Sequence, residues 1–110
     1  MTDITGGELL LKCLKQEGVT VLFGILDGSF NSFLAKLDEY GIRFVNARHE
    51  AAAAHMAEAW ARMNRKPAVA MVTAGPGFTN ALTGIASTRL SNAPVILIAG
   101  CVGLDSVEKL

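Results

Sequence analysis

Residues 67–80 read PAVAMVTAGPGFTN. From 67 to 74 almost every side chain is apolar. Side chains of a strand alternate between two faces, so a strand of this composition needs cover on both. Such strands lie inside parallel sheets that are layered between helices. Pro67 stands at the strand's start, where a missing N–H costs least. Gly75, Pro76 and Gly77 then form a turn. After it, Phe78, Ala81, Leu82, Ile85 and Ala86 recur at the spacing of an inward helix face.

The same order repeats on either side. Residues 4–17 (ITGGELLLKCLKQE) carry Leu10, Leu11 and Leu14 on one side and are closed by Gly18, which predicts a helix. Residues 19–26 (VTVLFGIL) predict a short strand and 27–29 (DGS) a turn. In 30–40 (FNSFLAKLDEY), Phe30, Phe33, Leu34, Leu37 and Tyr40 have amphipathic helical spacing, and Gly41 ends the helix. A second strand, 42–48 (IRFVNAR), leads into an Ala-rich helix over 50–64, and 93–100 (APVILIAG) is the fourth strand. Strand–helix alternation predicts parallel strands joined by crossovers. The fold class is α/β, an open doubly wound parallel sheet of at least four strands with helices on both faces. No internal repeat or low-complexity linker interrupts it. Beyond Gly100, Gly103, Asp105 and Ser106 look like the start of another turn and helix, with Leu110 on its apolar stripe. Four strands leave edges open to pairing. The expectation is one domain over 1–110, truncated or completed by another chain, with no second domain.

Composition narrows the function classes. Of the 110 residues, 51% are hydrophobic, and ten Lys+Arg balance ten Asp+Glu. That balance, without a basic stripe, argues against a nucleic-acid or anionic-membrane surface. No apolar run approaches the ~20 residues of a membrane helix. The opening MTDITGGELLLK has acids and no basic leader, so no signal peptide is expected. Cys13 and Cys101 fall in no zinc or redox spacing. They read as buried, reduced thiols of a cytoplasmic protein.

In open α/β sheets ligands bind beyond the carboxyl ends of the strands. Those ends are Leu26-Asp27-Gly28-Ser29, Arg48-His49-Glu50, Ala74-Gly75-Pro76-Gly77 and Ala99-Gly100. Three carry glycine, which lets backbone approach a ligand closely. The fourth carries an acid, Glu50, in RHEAAAAHMAEAWAR (48–62). A carboxylate that merely caps a helix is the alternative, with a gain of about 0.3–1 kcal/mol. Ala51–Ala54 leave room beside the acid for a flat ligand or a facing helix. The glycines of AGPGFTN (74–80) precede a helix N-terminus, which can bind an anion, but a simple turn is the more common explanation of a lone GPG. No dinucleotide fingerprint or phosphate loop is present. Thr79 and Asn80 can donate to a ligand or to local backbone. His49 is a candidate proton carrier or a structural histidine. His49 and His55 do not share a helical face well, and no converging set of metal ligands exists. Asp27 and Ser29 suffice as turn formers, and Met56, Trp60 and Met63 read as packing or interface residues.

Taken together, RHEAAAAHMAEAWAR, KPAVAMVT and AGPGFTNALTGIASTRLSNAPVILIAG closely resemble the N-terminal pyrimidine-binding domain of thiamine-diphosphate-dependent enzymes. The acetolactate synthase, benzaldehyde lyase and oxalyl-CoA decarboxylase group is most similar, and the opening ITGGELLLKCLKQEGVTVLFGI fits it as well. The resemblance implies that Glu50 hydrogen-bonds a ring nitrogen of the cofactor's aminopyrimidine, so that the exocyclic imine can remove the thiazolium proton. It places Pro76 and Asn80 near that pyrimidine and Gly28 and Ser29 on the substrate side. It implies thiamine diphosphate and Mg2+, both held mainly by a domain outside these residues. It also implies a homo-oligomer, dimer or tetramer, acting on a small carbonyl substrate such as a 2-keto acid or 2-hydroxy ketone. The activity would be that of a carboligase, lyase or decarboxylase. The segment LDGS (26–29) departs from the family's usual Pro-Gly-Gly or histidine-bearing turn. Two other classes stay open: a non-catalytic dimerisation module of the same fold, and a flavodoxin-like domain binding a small anion.

Overall fold

A computed structural model describes residues 3–107. Its elements are α1 (Gly6–Gln16), β1 (Val21–Gly24), α2 (Asn31–Leu34), β2 (Arg43–Asn46), α3 (Glu50–Asn64), β3 (Ala68–Val72), α4 (Pro76–Leu90), β4 (Val95–Ala99) and α5 (Leu104–Val107). The four strands are all parallel, in the order β2-β1-β3-β4. This is the doubly wound α/β arrangement that the strand composition predicts. No helix among the described residues is long and apolar enough to cross a membrane.

The central strands β1 and β3 are buried at every position, and their side chains divide two cores. Leu22, Val69 and Met71 pack under α1 and α2 with Leu11, Leu14, Phe33 and Leu37. Val21, Phe23, Ala68 and Ala70 face α3 with Ala53, Ala54, Ala57 and Ala61, and Trp60 lies half-buried against this layer. The strand alanines oppose the helix alanines, so α3 comes close to the sheet. β2 and β4 are the edges of the sheet: Arg43 and Asn46 are exposed, and Ile96 is 37% exposed.

The structure corrects three expectations. Residues 30–40 are not one helix. A 3₁₀ turn over Gly28–Phe30, the single turn α2 and a second 3₁₀ turn over Asp38–Tyr40 replace it. Lys36 N–H donates to Phe33 O and Leu37 N–H to Leu34 O. This tighter i→i−3 bonding still buries Phe33 and Leu37. The inner face of α4 is Gly77, Ala81, Gly84 and Thr88, whereas Phe78 and Leu82 are 40% and 45% exposed and Ala86 faces solvent. The reason is the closeness of α3: a Cβ on Gly84 would stand 2.5 Å from Ala54 Cβ and 3.1 Å from Ala51 O. Only small residues fit that contact. Cys13 and Cys101 are exposed free thiols, not buried ones. Leu11 and Leu14 take the inward face of α1, and Cys101 lies beyond the end of β4.

Two polar ties span helices. Lys36 Nζ donates to Glu8 Oε2 at 3.0 Å, partly exposed. Glu58 of α3 is only 6% exposed, and its Oε1 accepts the Ser91 hydroxyl at the end of α4 at 2.7 Å. His55 Nδ1 lies 3.5 Å from Glu58 Oε2 and Arg62 Nη1 3.7 Å from Oε1. Hydrogen bonds from Ser91 and then Ser87 hold the Glu58 carboxyl below the usual range, against the opposing effect of burial. The Lys36 hydrogen bond and charge do the same for Glu8.

A carboxyl whose pKa is depressed on folding contributes stability above its unfolded pKa, and loses it as pH falls through the lower folded value. Urea midpoints should therefore be flat near neutrality and drop below about pH 5. Glu58→Gln should reduce that drop, and an equally steep acid limb in the variant would count against Glu58. Gly84→Ala should lower the urea midpoint. Overpacking costs about 1–3 kcal/mol, more than alanine's helical advantage of up to about 1 kcal/mol. An unchanged or higher midpoint would mean that α3 and α4 are not in such close contact.

Candidate functional site

In the order β2-β1-β3-β4 the chain leaves β1 toward one edge and returns from β2 to β3 on the other side of β1. The loops after β1 and β3 therefore diverge, which makes the switch point where α/β sheets hold ligands. Glu50 opens α3 at the end of the neighbouring strand β2. His49, in extended backbone, caps that helix: its Nδ1 accepts Ala51 N–H at 3.1 Å. An accepting Nδ1 carries no proton, so His49 here serves the backbone. With that role taken by His49, the Glu50 carboxylate is free to point across to α4.

There Asn80 Nδ2 donates to Glu50 Oε2 at 3.2 Å. The other oxygen, Oε1, faces Gly77, lying 3.6 Å from where a Cβ on that residue would stand. Glu50 is half-buried, neither in bulk solvent nor sealed in the core.

The turn that carries Gly77 uses each of its residues differently. Gly75 has φ 61° and ψ −115°, a conformation that favours glycine. Pro76 is the first residue of α4, where its missing N–H has no helical partner to lose. Pro76 is exposed, and its carbonyl accepts the Thr79 hydroxyl at 3.1 Å. Gly77 is required by closeness: a Cβ there would lie 2.6 Å from Thr73 Cγ2.

On the β1 side of the rim, Asp27 Oδ1 accepts Ser29 N–H at 2.7 Å. The Ser29 hydroxyl, the Ser29 N–H and the Thr73 hydroxyl together hold the Asp27 carboxyl below the usual range. Gly28 and Ser29 are exposed on this rim and make no hydrogen bond to Glu50. The structure brings Glu50 and Asn80 together, sets Pro76 at the head of the same helix, and puts Gly28 and Ser29 across the switch point. Sequence reasoning missed Thr73, whose Cγ2 leaves no space for a side chain at Gly77. The signal available was position alone, since Thr73 directly follows the last residue of β3.

Two concavities lie away from Glu50. A cavity of about 370 Å³ lies at the far end of α4, beside Arg89 and Asn92, and one of about 280 Å³ lies between Gly7, Ser29, Phe30 and Ile98, so that Ser29 of the β1 rim borders it. Neither is lined by Glu50, Gly77 or Asn80. The Glu50 rim is an open shelf at the surface of this chain.

Comparison with known proteins identifies the family and the fold. Residues 4–109 match the family described as "Thiamine pyrophosphate enzyme, N-terminal TPP binding domain". The acetolactate synthase large subunit of Lactococcus lactis subsp. lactis is 40% identical over 106 residues, covering 96% of this chain and 18% of its own length. The 2-hydroxyacyl-CoA lyase 2 of Danio rerio is 39% identical over 95 residues, covering 86% of this chain and 15% of its own. A solved structure from Mycobacterium smegmatis, titled as a thiamin diphosphate-dependent enzyme, superposes with a TM-score of 0.87 at 26% identity, over 97% of this chain and 20% of that one. Benzoylformate decarboxylase of Polynucleobacter necessarius shares the fold at a TM-score of 0.85 and 22% identity, over 94% of this chain and 19% of that one. The chain belongs to the family of N-terminal thiamine-pyrophosphate-binding domains, and it spans less than a fifth of the length of these curated relatives.

The contact between Gly77 and Thr73 can be tested by a compensating pair. Gly77→Ala should destabilise the chain, and adding Thr73→Ser, which removes the opposing Cγ2, should recover part of the loss. Thermal melts of the single and double variants check this. Strictly additive effects would show that the two positions do not meet.

Proposed function

We propose, from membership of this family and from the Asn80–Glu50 hydrogen bond, that Glu50 is the proton partner of the aminopyrimidine of thiamine diphosphate. The chain would be one part of an enzyme whose whole length carries out carboligation, lysis or decarboxylation of small carbonyl compounds. What supports the reading is the state of the carboxylate: one oxygen is held by Asn80, and the other is turned toward a glycine surface. Glu50 is only half-buried, so a flat ring can approach its carboxylate from the open side of the shelf. The residues present therefore fit the group.

When bound, thiamine diphosphate supplies the carbon nucleophile that such carbonyl chemistry needs. Each residue of this chain has a narrower task. Asn80 fixes the carboxylate plane by donating to Oε2. Oε1 then remains to exchange a proton with a ring nitrogen at hydrogen-bond distance. His49 keeps α3 starting at Glu50. Asp27 accepts the Ser29 N–H and shapes the turn after β1, so that Gly28 and Ser29 border the place where a 2-keto acid or 2-hydroxy ketone would enter.

The shelf is open, so water exclusion needs a second surface. Large apolar side chains are exposed along the same two helices: Met56, Met63, Phe78, Leu82 and Leu90. Exposed apolar side chains of this size fit burial against another protein surface, which supports a homo-oligomer. Mg2+ and the diphosphate would be held by the remainder of the enzyme. Among the described residues no cluster of three or more His, Cys, Asp or Glu side chains is placed to hold a metal ion.

In the complete enzyme, Glu50→Gln should lower turnover by about a hundredfold or more, with far-UV circular dichroism unchanged. Wild-type turnover in that variant would remove Glu50 from the chemistry.

A further inference from the structure

The Asn80–Glu50 contact depends on how far α4 is slid along α3. Glu50, Ala54 and Glu58 are four residues apart on α3 and so lie on one face. Asn80, Gly84 and Ser91 follow at helical spacing along α4. The pairs meet in order: Asn80 with Glu50 at 3.2 Å, Gly84 against Ala54, and Ser91 with Glu58 at 2.7 Å. The two helices thus run parallel and are joined by three rungs.

The middle rung is smooth. Helices find their relative position when large side chains of one fit grooves of the other. Alanine and glycine have little to interdigitate, so this contact sets the spacing of the helices and only weakly their axial position. A buried polar pair does that better, since a shift leaves a desolvated group without a partner. Glu58 is such a group toward α4: His55 and Arg62, its other neighbours, lie on its own helix and stay with it in any slide, whereas the 2.7 Å bond from Ser91 would be lost. Glu58 lies two turns, roughly 12 Å, from Glu50 along the axis, too far to touch anything Glu50 touches.

We propose that Glu58 is a positioning residue: by holding Ser91 it fixes the axial register of α3 and α4, and so aims the Asn80 amide at the Glu50 carboxylate. This rests on the reading of Glu50 given above. Losing the Glu58 rung lets α4 slide, and a slide of about 1 Å is enough to degrade a site of this kind. Glutamine keeps an oxygen for the Ser91 hydroxyl and preserves the rung, whereas alanine does not.

The test uses the full-length enzyme and two measurements. In the first, calorimetry with thiamine diphosphate and Mg2+ should show Glu58→Ala and Ser91→Ala binding about tenfold more weakly, with Glu58→Gln within about twofold of wild type. Placed in a Glu50→Gln background, Glu58→Ala should weaken binding little further, because its effect passes through Glu50. In the second, hydrogen exchange over residues 80–84 should quicken in Glu58→Ala and not in Glu58→Gln. Wild-type affinity and exchange in Glu58→Ala, or an equal loss of affinity in the Glu50→Gln background, overturns the proposal. Should Glu58→Ala fail to fold, Ser91→Ala is read by the same outcomes. Exchange reports the register whether or not Glu50 meets the cofactor. Quickened exchange with unaltered cofactor affinity in Glu50→Gln would therefore sink the cofactor reading and not the register.

Discussion

Close approach between small side chains governs this domain. Ala68 and Ala70 of the sheet meet the alanines of α3, and α3 meets Gly84 of α4. A larger residue at any of these contacts would push α4 outward. Burial of alanine contributes little apolar area per residue, but the dense packing recovers dispersion contacts that a looser interface would forgo. The opposite core is of the ordinary kind, with Leu, Phe, Val and Met filling the space under α1 and α2. One face of the sheet is thus cushioned by bulky side chains, while the other holds two helices at nearly minimal separation.

The site inherits its geometry from that second face. Glu50 and Asn80 are 30 residues apart in the chain and meet because the helices they open are pressed together. Parallel strands bring both helix starts to the same end of the sheet. Gly24 reinforces the arrangement near that end: a Cβ on it would lie 2.6 Å from Met71 O, so β1 and β3 close tightly where their loops diverge. Gly100 does likewise against Ala74 N and Phe30 Cζ, at 3.1 and 3.3 Å. Backbone, more than side chain, walls the rim, and the few polar groups there stand out against it.

The fold class was legible because β1 and β3 are apolar at consecutive positions, which only a doubly covered strand tolerates. The position of Glu50 was legible for the same reason, as the acid that follows a parallel strand. Its pairing with Asn80 was not, since helical spacing says which residues share a face and not which face meets a neighbour. Phe78 and Leu82 show the cost of that gap. Hydrophobicity pointed them inward, while the alanines of α3 leave room only for Ala81, Gly84 and Thr88. The break within 30–40 was hidden because 3₁₀ turns also bring residues three or four apart onto one side. Cys13 was misplaced by a statistical preference for burial that Leu11 and Leu14 had already satisfied.

The single tryptophan of the chain sits on the same helix as Glu50. Trp60 is half-buried between the alanine layer and the outer surface, and its carbonyl accepts the Asn64 amide. Indole emission depends on the polarity and mobility around the ring. Within these residues, then, α3 is the one helix with an intrinsic optical label, and light emitted from its middle reports on the rod that carries the carboxylate.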